Sequence, residues 1–316
     1  MKYRPLGSTG EDVSVLSFGA SSLGSVFRET DDLESIRTVH AALDGGINLV
    51  DVSPYYGLTK AETVLGEALR QVPRDRYLLA TKAGRYGERE FDYSRDRILR
   101  SVEESCMRLH TDYVDILFLH DIEFVPYEEV AAEAFDVLRE LKQQGKIRFS
   151  GVSGLPLTVL ARALEDEAAP VDVILSYRHY ALNDTTLLGL LPLLEAKRAG
   201  LVNASPLSMG LLCMRPAPQW HPASEDIRRA CREAACYCES HGSDIAKLAI
   251  QFATADIRIP TTLVSTASSD NIIRNISWTD EPLDEELLHE VLDILAPVQG
   301  MSWPSGREEY NQQIRA

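Results

Sequence analysis

The stretch Ile47-Asn48-Leu49-Val50-Asp51-Val52-Ser53-Pro54-Tyr55-Tyr56-Gly57 decides the fold. Its first half is an apolar run suited to a buried parallel strand. Its second half, Ser-Pro-Tyr-Tyr-Gly, suits a loop leaving that strand's C-terminal end. Asp51 closes the apolar run, and Tyr56 follows five residues later. Both would face the mouth of a parallel barrel, where a (β/α)8 enzyme keeps its chemistry. Two later apolar runs end in the same way. Tyr77-Leu78-Leu79-Ala80-Thr81 leads to Lys82, and Val114-Asp115-Ile116-Leu117-Phe118-Leu119 leads to His120.

Outward from that stretch, strand and helix alternate. Residues 3–18 read as a hairpin turned by Leu6-Gly7-Ser8-Thr9-Gly10, placed to plug the bottom of a barrel. Extended segments are expected at 13–19, 47–53, 76–82, 114–120, 147–153, 171–177, 201–205 and 261–266. Helices are expected after them, among them 31–43, 60–71, 94–109, 126–144, 155–167, 185–199, 224–241, 246–255, 269–276 and 284–295. Eight strands, each followed by a helix, favour a closed (β/α)8 TIM barrel over an open doubly wound sheet. No linker, charge block or repeat divides the chain, so residues 1–316 read as one domain with a hairpin plug and extra C-terminal helices. The Pro-rich stretch Met209–Ser224, with Trp220 and His221, reads as a long loop, a kind that is more often functional than idle.

The 316 residues are 45% hydrophobic, enough for one large core, and carry a formal net charge of -16. Such acidity argues against nucleic acid or an anionic membrane surface as partner. No apolar run is long enough to span a bilayer, and the first residues lack a signal-peptide core. Five cysteines, an odd number in a long chain, point to a reducing, cytoplasmic setting. Cys231, Cys236 and Cys238 fall on an expected helix and read as packing rather than a zinc site. The seven histidines are scattered, so no metal site is expected. No obligatory protein partner is evident.

Asp51, Tyr56, Lys82 and His120 form a proton-handling set. A Tyr hydroxyl ionises near pH 10 in a model peptide, too high for ready exchange at neutrality. A neighbouring ammonium stabilises phenolate, so Lys82 is expected to lower the pKa of Tyr56, with Asp51 holding Lys82 charged and in place. His120 would orient a substrate oxygen. Such a set moves a proton but has no hydride acceptor, so hydride transfer needs a nicotinamide or similar cofactor. There is no Walker A loop, no nucleophile elbow and no Gly-x-Gly-x-x-Gly, so a dinucleotide would bind without a Rossmann fingerprint.

At these residues the sequence resembles the aldo-keto reductase superfamily, and the resemblance covers essentially the whole chain. It runs through Leu6-Gly7-Ser8-Thr9-Gly10, Gly19, the stretch from Asp51 to Gly57, Thr81-Lys82, Asp112-Tyr113-Val114-Asp115-Ile116, His120, Gly151-Val152-Ser153 and Ser205-Pro206-Leu207. It implies a barrel that binds a nicotinamide cofactor in extended form, with Asp51, Tyr56, Lys82 and His120 matching the family's catalytic tetrad. Within the family the chain is most similar to dehydrogenases that oxidise C1 of an aldose to a lactone with NAD. Residues 18–27, Leu119-His120-Asp121-Ile122-Glu123-Phe124, residues 173–180, Gln219-Trp220-His221-Pro222 and Trp303-Pro304-Ser305-Gly306 carry that closer likeness. The implied substrate is a small sugar, L-galactose foremost, with L-fucose, L-glucose or another aldose as alternatives. Two rivals stay open: an NADP-dependent carbonyl reductase, and a nucleotide-binding regulatory barrel with little turnover.

The resemblance further implies cofactor contacts at Gly19, Ser153, Ser176, Ser205, Leu207, Gly210, Ser265, Ser268, Asn271, Arg274 and Asn275. Two positions depart from the common pattern. Gly154 stands where many members have an Asn for the carboxamide, and Ala204 where many stack a Tyr on the nicotinamide. The basic positions that NADP-users commonly carry after the eighth strand fall on Ser265 and Asn271, and Asp270 would repel a phosphate, so NAD is expected. The helix start from Ser268 is expected to offer free backbone N–H groups to a phosphate. For the sugar, Tyr55, Asp121, Glu123, His179, Trp220, Trp303 and Arg85 lie on or near expected mouth loops and supply aromatic faces and fixed polar groups.

Overall fold

The computed structural model describes residues 1–26, 28–216 and 219–311. Phe27, positions 217 and 218 of the Pro-rich stretch, and 312–316 lie outside the described residues. Two short strands, β1 (Tyr3–Pro5) and β2 (Asp12–Ser14), pair antiparallel, with Tyr3 opposite Ser14. Eight parallel strands follow: β3 (Leu16–Gly19), β4 (Leu49–Asp51), β5 (Leu78–Ala83), β6 (Val114–His120), β7 (Ile147–Gly154), β8 (Val173–Tyr177), β9 (Gly200–Ala204) and β10 (Thr261–Ser265). Each pairs with the next, and β10 pairs with both β9 and β3, which closes the barrel. The expected extended segment at 13–19 is divided. Val13 and Ser14 belong to the hairpin, Val15 is a break, and the barrel begins at Leu16.

The hairpin closes the lower end. Leu6, fully buried, packs with the inward side chains Leu49, Leu78, Ile116, Val173 and Val202. Gly7 in the turn has φ +57, and a Cβ there would stand 2.3 Å from the backbone nitrogen of Gly200. Only a residue without a side chain lets the turn lie on the start of β9.

Around the barrel lie α1 (Asp32–Asp44), α2 (Lys60–Leu69), α3 (Arg95–Leu109), α4 (Tyr127–Gln143), α5 (Leu157–Glu165), α6 (Leu191–Lys197), α7 (Glu225–Ser240), α8 (Ile245–Ala255), α9 (Ser269–Trp278) and α10 (Glu285–Leu295). Local chemistry sets several starts. The side chains of Asp31, Ser224, Asp244, Ser268 and Asp284 each accept a backbone N–H of the first turn. The expected helix at 185–199 is interrupted instead. A 3-10 turn covers Thr186–Leu190, and α6 restarts with Pro192 in its first turn, where a missing N–H costs nothing. Helices α7, α8 and α10 build a second apolar cluster that includes Ile227, Ala234, Leu287, Val291 and Leu295. Cys231 and Cys238 are buried in that cluster, as packing, whereas Cys236, expected to pack with them, is exposed. No group of three or more His, Cys, Asp or Glu side chains among the described residues could hold a metal ion. No helix among them is long and apolar enough to cross a membrane.

Side chains alternate between the two faces of each strand. Leu16, Phe18, Val50, Leu79, Leu117, Val152 and Ile174 face the helix layer in one large cluster. Leu49, Ala80, Phe118, Leu175, Ala204 and Leu263 fill the lumen in another. This phase decides which residues reach the upper mouth.

Candidate active site

The lumen phase brings the sequence-predicted set together. Asp51 is in register with Ala80, two residues before Lys82. Lys82 is in register with Phe118, two residues before His120. His120 is in register with Ser153. With a period of two, Asp51, Lys82, His120 and Ser153 therefore all point inward near the C-terminal ends of four adjacent strands. Tyr56 comes from the loop after β4, where its N–H donates to the Ser53 carbonyl at 3.1 Å. Gly57 fixes that loop. It has φ +62, and a Cβ there would stand 2.0 Å from the carbonyl oxygen of Gly24.

Lys82 donates its ammonium hydrogens to Asp51 Oδ1 and, at 2.9 Å, to the Val52 carbonyl. The same Nζ lies 4.9 Å from the centroid of the Tyr56 ring. The His120 ring meets Tyr56 edge-on, with centroids 5.7 Å apart and planes at 86°. Burial raises the pKa of Asp51 against the pull of Lys82. Burial also disfavours the Lys82 ammonium, but Asp51 and Tyr56 outweigh it and its pKa is raised. Lys82 therefore stays charged. Burial, Lys82 and Arg85 together hold His120 well below the usual imidazole range, so its ring is neutral.

Tyr56 departs from expectation. Burial pushes its pKa up to about 12, against the opposing pull of Lys82 and with Asp51 and Asp121 adding to the rise. Lys82 does pull the pKa down, as expected, but loss of water around a phenolate outweighs one nearby ammonium.

Beside His120 stands a group of charged and aromatic side chains. Asp121 Oδ2 is 3.5 Å from His120 Nε2 and accepts from Arg85 Nη1 at 2.5 Å. The Arg85 guanidinium lies 3.9 Å above the Tyr55 ring, and Phe91 and Phe124 stack beside it. Tyr55 meets the His120 ring at 6.0 Å. Tyr55, Asp121 and Arg85 are therefore gathered at the candidate catalytic histidine.

Glu123 is not. It is fully buried and accepts from the Leu155 N–H at 3.1 Å and from Ser305 Oγ at 2.9 Å, so it anchors the C-terminal segment. Burial, with Asp121 adding, pushes its pKa up to about 8. His179 is likewise buried, 2.8 Å from Thr186 Oγ1 and 3.3 Å from Asp184. Trp303 lies between the Arg178 guanidinium and His221, on which Trp220 stacks. Arg178, which sequence reading passed over, organises this second group. It is fully buried, pairs with Asp184 at 2.6 Å and donates to the Met301 carbonyl.

The candidate cofactor residues spread along the opposite rim. Gly19 is in register with Ser265, whose hydroxyl bonds to Ser21 and Ser22. A Cβ on Gly19 would meet ordinary contacts at 3.6–3.9 Å. Ser205, with φ 62, leads through Leu207 to Gly210, with φ 99. Ser176 is one residue out of phase with the lumen, in register with Gly154, and its hydroxyl is buried without a partner. Beside Ala204, in register, stands Tyr177, an aromatic ring that packs against the lumen cluster.

The α9 start differs from expectation. Three amides at or just before it are engaged: Ser268 N–H by Thr266 Oγ1, Asn271 N–H by Ser268 Oγ, and Ser269 N–H by Glu34 Oε1 at 2.8 Å. The Ser269 hydroxyl donates to the same Glu34 oxygen at 2.7 Å. These bonds, with Arg37, pull the Glu34 carboxyl down to about 2. A fixed carboxylate from α1 thus occupies the helix end expected to receive a phosphate. Arg274 donates to Asn271, and Asn275 is buried.

The model of the Aldo/keto reductase family matches residues 15–296. The sequence is 46% identical over 314 residues to L-galactose dehydrogenase of Arabidopsis thaliana, covering 97% of this chain and 98% of that one. It is 40% identical over 259 residues to D-arabinose 1-dehydrogenase of Saccharomyces cerevisiae, covering 77% and 76%. Among solved structures, the holo form of aldo-keto reductase AKR11C1 from Bacillus halodurans superposes with a TM-score of 0.78 at 26% identity, covering 99% of this chain and all of that one.

Proposed function

The chain belongs to the aldo/keto reductase family, and from that premise we propose that it oxidises L-galactose at C1 to L-galactono-1,4-lactone with NAD. The observation that carries the reading is the convergence of Tyr56, the Lys82–Asp51 pair and a neutral His120 at one mouth, in a chain 46% identical to an L-galactose dehydrogenase.

Oxidation removes a hydride from C1 and a proton from its hydroxyl, which turns the hemiacetal carbon into the lactone carbonyl while the ring oxygen stays, so the furanose form gives the 1,4-lactone directly and the pyranose form gives a 1,5-lactone that must rearrange to it. The nicotinamide, when bound, supplies the hydride acceptor. Tyr56 takes the hydroxyl proton. Lys82 stabilises the phenolate that does so, and Asp51 keeps Lys82 in place. Neutral His120 donates one N–H to the same substrate oxygen and aligns it. Asp121, Arg85 and Tyr55 would hold neighbouring sugar hydroxyls and a ring face. Ser153, the unpartnered Ser176 hydroxyl and the Tyr177 ring are groups that fit a nicotinamide carboxamide and its ring, with Gly19, Ser205, Leu207, Gly210 and Ser265 along the rest of the rim.

Glu34 supports NAD over NADP. A 2′-phosphate near the start of α9 would face a carboxylate that is ionised at every working pH. A ribose 2′-hydroxyl could instead donate to it, as acidic residues accept from the ribose in dinucleotide-binding folds. The test measures initial rates on L-galactose with NAD and with NADP, for the native protein and for Glu34→Gln. The native protein should prefer NAD, and the variant should narrow the preference by on the order of tenfold, about 1.4 kcal/mol. A native preference for NADP would overturn the cofactor assignment. An unchanged ratio in the variant would remove Glu34 from it.

A further inference from the structure

We propose that Ser53 is a positioning residue that fixes His120 in its Nε2–H tautomer, so that this N–H is the edge offered to the substrate oxygen. The proposal rests on the reading that His120 contacts substrate, but its structural part stands on contacts within the protein. Ser53 is fully buried, and its Oγ lies 3.0 Å from His120 Nδ1. The same Oγ already accepts the Tyr55 N–H at 3.1 Å. A hydroxyl has one hydrogen to give. If Nδ1 carried a proton, Ser53 would have to accept twice, and its own hydrogen would be left buried without the His120 acceptor. An unmade buried hydrogen bond of this kind is costly, so the hydroxyl donates to Nδ1 and the ring proton sits on Nε2.

The charge on the other side of the ring favours the same tautomer. Asp121 Oδ2 is 3.5 Å from Nε2. No hydrogen bond forms across that distance, so an Nε2–H stays free for the substrate oxygen, while the carboxylate's charge nearby disfavours a lone pair on Nε2. Ser53 and Asp121 therefore select the same neutral form from opposite ends of the ring. A histidine's tautomer is set by the hydrogen bond its other nitrogen makes. Backbone geometry ties this to Tyr56, because the Ser53 carbonyl accepts the Tyr56 N–H. One residue thus orients His120 through its side chain and the loop that delivers Tyr56 through its backbone.

The experiment is 15N NMR of the histidine rings in the full-length protein, free of cofactor, with His120→Asn to assign the signal. The native ring is expected to show an acceptor-type Nδ1 and a protonated Nε2. Ser53→Ala should convert this to a mixture of tautomers and lower kcat for sugar oxidation by roughly tenfold with unchanged NAD affinity. Ser53→Thr, which keeps the hydroxyl, should restore the native tautomer and most of the rate. A native spectrum with protonated Nδ1 overturns the proposal without needing any variant to fold. So does a Ser53→Ala protein that keeps the pure Nε2–H form and full turnover. If the native protein oxidises no sugar, the functional reading fails while the spectrum still decides the tautomer.

Discussion

Tyr56→Phe is expected to lower kcat for sugar oxidation by about 10³-fold or more, the upper part of the range for losing a general acid–base group. The ring would keep its place, since its contacts with Lys82 and His120 are made by the ring and not only the hydroxyl. NAD affinity and thermal stability should therefore change little, which separates a chemical loss from a folding one. The pKa of about 12 adds a pH signature. A raised pKa means that the base form appears only toward strongly alkaline pH. Each unit of pH between 7 and 10 should then raise the phenolate fraction about tenfold. With chemistry rate-limiting, oxidation by the native protein should climb through that window without a plateau. The residual rate of Tyr56→Phe should lose the climb. A Phe variant with near-native turnover would remove Tyr56 from the proton transfer.

Lys82→Met is expected to be as inactive and, in addition, unstable. Lys82 and Asp51 are both almost fully buried, and Asp51 Oδ2 already lacks a partner. Breaking such a pair by removing one charge costs about 3–5 kcal/mol, mostly because the other charge is left buried. The sign of the pH effect follows. Asp51 alone in that site would have a folded pKa far above its unfolded one, so the variant loses stability progressively as pH rises from the unfolded value to the folded one. Its deficit against the native protein should therefore be smallest in acid and largest near neutrality. Adding Asp51→Asn should recover most of the stability and none of the turnover. Urea denaturation at two pH values checks both claims. A Lys82→Met protein as stable as the native one at neutral pH would contradict the buried-charge account.

Much of this was legible in the sequence because it rests on local pattern. Apolar runs capped by Asp51, Lys82 and His120 mark strand ends, and strand ends of a parallel barrel share one mouth. Period-two alternation could also have found Ser53, two residues past Asp51 and in phase with it. What stayed hidden depends on segments far apart in the chain. Nothing near Glu34 in sequence points to Ser269, 235 positions away, yet that contact engages the Ser269 amide at the start of α9. Glu123 looks like a mouth acid until Ser305 is seen to pin it. The net pKa of Tyr56 is not readable from sequence, because residue identities give the sign of each influence but not the depth of burial that decides the balance. Pro192 was visible, but its effect, splitting the expected 185–199 helix, depends on how the turn before it packs.

The most direct measurement is product identification by NMR after incubating the protein with L-galactose and NAD at mildly alkaline pH. The proposed reaction predicts L-galactono-1,4-lactone, or its hydrolysed acid, formed one for one with NADH and faster than any product from D-galactose. Absence of lactone, with reduction of simple aldehydes by NADPH instead, would contradict it and return the chain to the general carbonyl reductases of its family.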